Sequence, residues 1–403
     1  AVSVRAFMKG ESYAKPTDPR NISTVGTNHM LVLSGYTYAF KRDALYPKAW
    51  YAPAKPPRVL ADRMVDLARH HILYETDYSR FDGTVSYWLR ENIELACYVA
   101  WVAPEYSDYL QAYLRAEYDP RAVTSNGVAY RPKYSRLSGS PLTTDGNTLI
   151  NAFVSYLAAR LARMDPDAAF ATLGLYGGDD GVSIVDTQYL QRAADVLGLK
   201  LKCERRTRQV SFLGRVFLDP GCGEPGSVQD PLRTWRKLHI SFNHQASVQQ
   251  ALTNRAYGYL ALDPAAPVVS TWARKMMEFT GLVGYVDDID TPYYARVASM
   301  TPDFGGWPQL TYGQALEVIA WRLGVDASEV AALDERVDAI TKIEGVEGLW
   351  DNCPEAPTLD VVVDGQIQTA PDQTRKTRES GPKRREERFP GKPRRRRPHV
   401  QRR

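Results

Sequence analysis

The chain has 403 residues, 44% hydrophobic and 24% charged, which excludes collagen-like and wholly disordered chains and suits two or three lobes rather than one compact domain. Its 51 basic and 47 acidic residues give a net charge of +4 that hides an asymmetry: positions 371–403 hold 14 Lys and Arg against 4 Asp and Glu, and the body is left with 37 basic and 43 acidic residues. Cys97, Cys203, Cys222 and Cys353 lie far apart with no C-x-x-C pair, so a disulfide scaffold or zinc ribbon is excluded and reduced thiols in a cytosolic compartment are expected.

The chain opens at Ala1 with a polar, basic run and no signal peptide, as a processed product or a fragment would. Short β-like runs are predicted at Met30–Leu33 and Tyr36–Phe40, and the prolines from 47 to 57 mark a boundary. Ile72–Thr76 reads as a buried strand ending at Asp77. A helical pattern follows over Val85–Val102, with Trp88, Leu89, Ile93, Ala96 and Ala100 at steps of three and four. Residues 104–137, rich in Tyr, Pro and Arg, read as irregular. After the Ser138-Gly139-Ser140-Pro141 loop a second helix is predicted over Thr143–Arg163. Its core, Leu149–Ala162, is interrupted by Asn151, Ser155 and Arg160, and no transmembrane helix is predicted anywhere. Leu173–Tyr176 and Val182–Val185 flank Gly177-Gly178-Asp179-Asp180-Gly181, a hairpin signature. A helix at 187–198, extended runs at Lys200–Lys202 and Val210–Leu218, and helical periodicity over 245–345 complete the body. That last stretch is broken near Asp263-Pro264 and across 286–310. Residues after about 370 read as a disordered basic tail.

Two of these elements carry paired carboxylates. Asp77 ends a strand with Asp82 five positions later, and Asp179-Asp180 tips a hairpin. Hard divalent cations take carboxylate oxygens, and a two-metal phosphoryl-transfer site needs them from separate elements. Each piece alone is commonly just a turn or chance spacing. Between them, Thr143, Asn147 and Asn151 recur at i+4 and share one helix face, where a buried helix would rather carry apolar residues. Helix capping by Thr143 or Thr144 with Asp145 explains one or two of these residues, not the whole row.

Asp77-x4-Asp82, then Ser138-Gly139-x3-Thr143-x3-Asn147, then Gly178-Asp179-Asp180 resemble, in order, motifs A, B and C of viral RNA-dependent RNA polymerases. Asp18-Pro19-Arg20-Asn21-Ile22-Ser23, Tyr36–Lys41 and Tyr176–Gly181 are similar to the nodavirus-like positive-strand group. The resemblance covers about residues 7–217. It implies an α+β right-hand fold of fingers, palm and thumb, with an antiparallel palm sheet flanked by helices. The parts would be the end of the fingers (1–60), the palm (61–220, with 104–137 returning to the fingers), a mostly helical thumb (221–355) and the basic tail (356–403).

The implied reaction is template-directed addition of NTPs to an RNA 3′ end. Asp77, Asp179 and Asp180, with the Tyr78 carbonyl, would hold two Mg²⁺ or Mn²⁺ ions. Asp82 and Asn147, with Ser138 or Thr143 near Gly139, would read the ribose 2′-hydroxyl. Lys9, Glu11, Lys15 and Arg20 resemble motif F, in which the basic residues face the triphosphate; they also read as a solvated basic strand. Lys200 or Lys202, in a motif D-like segment, would protonate the departing pyrophosphate. Phe212, Leu213 and Arg215, in Ser211–Arg215, resemble the motif E primer grip, though any buried strand would show such apolar residues. The implied partners are template RNA, nascent RNA and NTPs in the host-cell cytoplasm. Membrane-associated replication complexes would form only through an N-terminal region missing here, and without the long fingers region that precedes motif F the chain is expected to be incomplete. Two further classes remain. A reverse transcriptase would be expected to carry a bulky side chain near Asp82, where Gly83 stands. A non-catalytic RNA-binding protein would act through the Arg394–Arg397 tail.

Overall fold

Six residues, Leu73–Tyr78, organise the fold through their alternation. The structure, a computed structural model, describes residues 2–10, 20–241, 245–285, 291–343, 361–363 and 366–368. Its strands are β1 (Ser3–Met8), β2 (Asn21–Val25), β3 (Leu73–Tyr78), β4 (Arg121–Thr124), β5 (Ala129–Tyr130), β6 (Leu175–Gly177), β7 (Asp180–Ser183), β8 (Leu201–Arg206), β9 (Val210–Phe212), β10 (Arg215–Phe217) and β11 (Ser227–Gln229). The central sheet runs β6-β7-β3-β8, antiparallel throughout. Successive side chains of a strand point to opposite faces. Tyr74 and Tyr78 of β3 therefore join Ile150, Val154, Leu190 and Ala194 of the Thr143–Leu161 and Thr187–Leu197 helices. On the other face Leu73, Leu175 and Val182 join Leu60 and Met64 of the Pro57–His70 helix. Helices thus cover both faces of an antiparallel sheet, the expected α+β arrangement.

A second sheet, β2-β1-β4-β5, ties the N-terminal segment to residues 121–130: β1 pairs antiparallel with β2 and parallel with β4. A third, β11-β10-β9, leads into the helices Val248–Leu262, Val269–Thr280, Tyr312–Leu323 and Ala327–Asp338. Their core gathers Val216, Val228, Trp272, Val318, Ile319 and Val337. The chain divides into two units, Ala1–Pro357 and Thr358–Arg403; in the latter, Val361–Val363 and Gln366–Gln368 form an antiparallel pair.

Several local expectations change. Met30–Leu33 and Tyr36–Phe40 lie in one helix, Thr27–Phe40, with Leu33, Thr37 and Phe40 buried at steps of four and three. The Phe40 ring packs 4.2 Å from Tyr98, so tertiary burial overrides an aromatic-rich, strand-like composition. The Tyr-rich stretch after 103 is not irregular: a helix, Pro104–Arg115, starts with proline in its first turn and buries Leu110 and Leu114, and β4 and β5 follow. Val210–Leu218 is a hairpin, reversed at Leu213 and Gly214 with φ of 49° and 73°. The Val85–Val102 pattern is helical over Tyr87–Leu89, Arg90–Leu95 and Ala96–Trp101, with the middle piece π-helical. A helix, Tyr293–Met300, occupies part of the predicted 286–310 break. Glu11, Lys15, Asp18, Pro19, Cys353 and the basic tail lie outside the described residues. Among the described residues, Cys97, Cys203 and Cys222 are free thiols and no helix is long and apolar enough to cross a membrane.

The break at Asp263-Pro264 has a structural use. Asp263 follows the Val248–Leu262 helix and receives Arg215 Nη2 at 2.6 Å and Nη1 at 3.1 Å, both side chains at most 2% exposed. The guanidinium also lies 4.8 Å over the Trp307 ring, joining β10 to the helical lobe. Asp263→Ala leaves a buried guanidinium without its partner and is expected to lower unfolding free energy by about 3 kcal/mol or more, read by urea denaturation. The double variant Arg215→Met/Asp263→Leu should lose far less, because it buries no orphan charge.

Candidate active site

The β6–β7 reversal starts from its register. Gly177 faces Asp180, so the turn is the two residues Gly178-Asp179, with Gly178 at φ +68°. Thr76 faces Gly181 on β3, which brings Asp77 alongside Asp180. A Cβ on Gly181 would collide with the Thr76 hydroxyl and lie 2.9 Å from the Tyr176 ring, so this close approach requires glycine.

One side chain gathers the turn. Asn151 Nδ2 donates to the carbonyl oxygens of Gly178, Asp179 and Asp180, each at 3.2 Å, while its Oδ1 accepts from the Tyr78 hydroxyl at 3.1 Å. One turn earlier on the same helix, Thr148 Oγ1 accepts from the Gly178 N–H at 2.8 Å. Tyr78 thus points down into the helix layer, and strand alternation turns Asp77 to the opposite face. On β8, Lys202 is the cross-strand partner of Asp77, and its Nζ lies 4.0 Å from Asp77 Oδ2. Lys200 is exposed, and its carbonyl accepts from the Ser79 N–H at 2.9 Å.

The carboxylates feel one another. Burial, then the charges of Asp82 and Asp77, raise the Asp179 pKa above the ordinary carboxylate value. Burial, with the charges of Asp179 and Asp77, pushes Asp180 up to about 6 against the opposing influence of Arg233 and Arg20. The donor chemistry fits hard divalent cations: Asp77 and Asp180 from two adjacent strands and Asp179 from the turn, with the main chain of Tyr78 beside them. Among the described residues no three His, Cys, Asp or Glu side chains converge tightly enough to form a finished cation site.

Asp82 reaches the same region because Arg80 turns the chain at φ +54°. Asn147 Nδ2 donates to Asp82 Oδ1 at 2.7 Å. Two residues expected beside this pair are used on the backbone instead. Thr143 Oγ1 donates to the carbonyls of Leu137 and Ser140 at 2.8 and 2.9 Å. Ser138 Oγ accepts from the Ser23 N–H and donates to the Asn21 carbonyl, both at 3.1 Å. Gly139 N–H donates to the Ser23 carbonyl at 3.0 Å, and a Cβ there would lie 3.1 Å from that oxygen. Ser138 and Gly139 thereby dock the loop onto β2. On the β1–β2 hairpin Lys9 N–H donates to the Arg20 carbonyl at 2.8 Å, and Arg20 lies close enough to Asp179 and Asp180 to oppose their raised pKa.

A cleft of about 220 Å³ opens beside the carboxylates, lined by Asp77, Asp180, Lys202, Leu213, Gly214 and Arg233 among others. Leu213 forms its rim: a Cβ on Gly177 would lie 3.1 Å from Leu213 Cδ2. Phe212 is buried, and Arg215 departs from the sequence expectation because its guanidinium is committed to Asp263 inside the lobe. Thr148 and Arg233 carried no sequence signal. Asn151 showed only as one member of a polar row.

Residues 54–247 match the family described as viral RNA-dependent RNA polymerase. The RNA-directed RNA polymerase of Greasy grouper nervous necrosis virus is 39% identical over 93% of this chain and 39% of that protein. That of Pariacoto virus is 36% identical over 90% of this chain and 37% of that protein, and that of Flock house virus 31% identical over 78% and 33%. The chain spans about two fifths of the length of such curated relatives. The RNA-dependent RNA polymerase of a human picorbirnavirus superposes with a TM-score of 0.52 at 16% identity, covering 83% of this chain and 65% of that one, and its insertion-loop deletion mutant gives 0.54 at 15%. These two structures show the fold.

The gathering of the turn by Asn151 has a measurable consequence. Asn151→Ala leaves the Tyr78 hydroxyl and three carbonyls without this partner and is expected to lower stability by about 2–3 kcal/mol. Gly181→Ala should also destabilise clearly. Gly83→Ala, where a Cβ meets open space, should leave the thermal midpoint nearly unchanged.

Proposed function

We propose that this chain, similar along most of its length to the RNA-directed RNA polymerases of Greasy grouper nervous necrosis virus and Pariacoto virus, catalyses template-directed nucleotidyl transfer from NTPs to an RNA 3′ end in viral genome replication and transcription. The observation that carries the reading is the meeting of Asp77 with Asp179-Asp180 across two hydrogen-bonded strands, with the Asp82–Asn147 pair beside them. Asp77, Asp179, Asp180 and the Tyr78 carbonyl are the groups to hold two Mg²⁺ or Mn²⁺ ions. When bound, such ions supply Lewis acidity at the attacking 3′-hydroxyl and the triphosphate.

The chain's own residues do the rest. Asp82 and Asn147 together accept from and donate to a ribose 2′-hydroxyl, which both donates and accepts. Ser138, Gly139 and Thr143 fix the loop that presents Asn147. Arg20 and Lys9, with Lys15 outside the described residues, attract the triphosphate. Arg20 presents a planar fork suited to phosphate, and the lysines act as point charges. Lys202, beside Asp77, is the proton donor to the departing pyrophosphate. Phe212 supports and Leu213 forms the turn against which the growing strand rests. Template RNA, nascent RNA and NTPs are the partners, in the host-cell cytoplasm. The reverse-transcriptase reading is weaker, because Gly83 offers no bulk beside Asp82 to exclude a 2′-hydroxyl.

Labelled-NTP incorporation on a primed RNA template with Mg²⁺ or Mn²⁺ tests this. The parent chain is expected to make metal-dependent product, and Asp179→Ala to make at least about a hundredfold less. Equal product from both would remove the metal-site assignment.

A further inference from the structure

Gly146 sits buried in the second turn of the Thr143–Leu161 helix, where glycine is a poor helix former. A Cβ at this position would lie 2.6 Å from Arg136 Nη2, 2.7 Å from Glu94 Oε2 and 2.8 Å from Arg136 Cζ. The missing side chain therefore makes room for an ion pair. Arg136 Nη2 lies 2.5 Å from Glu94 Oε2, and the two side chains are 0% and 2% exposed. Glu94 stands on the π-helical piece Arg90–Leu95, a rare geometry that recurs at functional sites.

The pair has a third contact. Arg136 Nε donates to Asn147 Oδ1 at 3.0 Å, and the Arg136 main-chain N–H donates to the Asp82 carbonyl at 2.8 Å. An asparagine amide has two ends of nearly equal shape. Arg136 can only donate and the Asp82 carboxylate can only accept, so together they permit one orientation of Asn147. In that orientation Asp82 Oδ2 and the second amide hydrogen of Asn147 carry no other hydrogen bond among the described residues. A buried ion pair is a poor source of stability compared with apolar packing of the same volume, which points to a role in orientation.

We propose that the Arg136–Glu94 pair, housed by Gly146, is a positioning device for sugar selection. It locks the Asn147 amide so that Asp82 and Asn147 present one acceptor and one donor to a ribose 2′-hydroxyl. The inference rests on the polymerase reading and deepens it, naming Arg136, Glu94 and Gly146 as determinants of ribonucleotide preference that do not themselves touch substrate.

The test compares single-nucleotide extension with an NTP and the dNTP of the same base. Arg136→Lys keeps a cation for Glu94, but one ammonium cannot serve Glu94 and Asn147 in the fork geometry of Arg. kcat/KM for the NTP is expected to fall about tenfold, the order of one lost hydrogen bond, with the dNTP value nearly unchanged. Parallel loss with both nucleotides, or an unchanged ratio, would overturn the proposal. Should Arg136→Lys fail to fold, Arg136→Met/Glu94→Met removes both charges at similar volume and carries the same expectation. If the parent extends with neither nucleotide, a chain of the relatives' full length decides the polymerase reading. The positioning claim is then decided by the side-chain amide NMR signals of Asn147, expected to shift and exchange faster with solvent in the variant. Unchanged signals would overturn it.

Discussion

The constraint on which the site depends is the grip of one helix on one turn. Asp77, Asp179 and Asp180 repel each other, and nothing in their own chemistry brings them together in the absence of a cation. Asn151 and Thr148 overcome this through the main chain, gathering three carbonyls and one N–H of the turn. Because the same Asn151 accepts from Tyr78, it also fixes the face of β3 from which Asp77 projects. A one-residue slip of β3 against β7 would send Asp77 into the helix layer. Gly181 guards that register by admitting the Thr76 side chain where any Cβ would collide with it.

Electrostatics follow from this scaffold. The body of the chain is acidic on balance, and its basic groups near the site are placed singly: Lys202 across from Asp77, Arg20 near the turn, Arg233 beside Asp180. Lys202 stays 4.0 Å from Asp77 Oδ2, a single loose contact that leaves the carboxylate's other oxygen to a cation. The bidentate guanidinium pairs lie elsewhere, as between Arg215 and Asp263 or Arg322 and Asp230. Asp77 and Asp179 thus stay exposed and Asp180 half-buried, their oxygens of the kind a hard divalent ion takes.

How much of this the sequence disclosed depended on the range of the interactions. The hairpin around Gly178-Asp179 was legible because its turn chemistry and flanking apolar runs are local. The order of the three motifs carried the palm, since β3, the Thr143–Leu161 helix and β6–β7 follow one another in the chain. Misreadings fell where tertiary burial decided: Thr27–Phe40 looks strand-like until Leu33, Thr37 and Phe40 find a packed partner. Arg215 looked like a hand for RNA because its partner, Asp263, lies 48 residues away. Asn151 and Thr148 share this difficulty, for their partners are distant in sequence and meet them only when the sheet forms. Gly146 is the extreme case: its meaning lies in the side chains that occupy the space a Cβ would fill.

Two buried arginine–carboxylate pairs in this molecule show how one chemistry serves different ends. Arg215 spends its guanidinium on both oxygens of Asp263 and on Ser227, an arrangement closed on itself that joins a strand to a helix end. Arg136 meets Glu94 with one end only and turns Nε toward the amide of Asn147. The first pair has no outlet: its removal would be felt as lost stability. The second is open toward the group that meets Asp82, so its geometry passes through Asn147 to the place where a sugar hydroxyl would sit. A helix glycine that houses such a pair makes sense only if the orientation it imposes matters more than the packing it displaces.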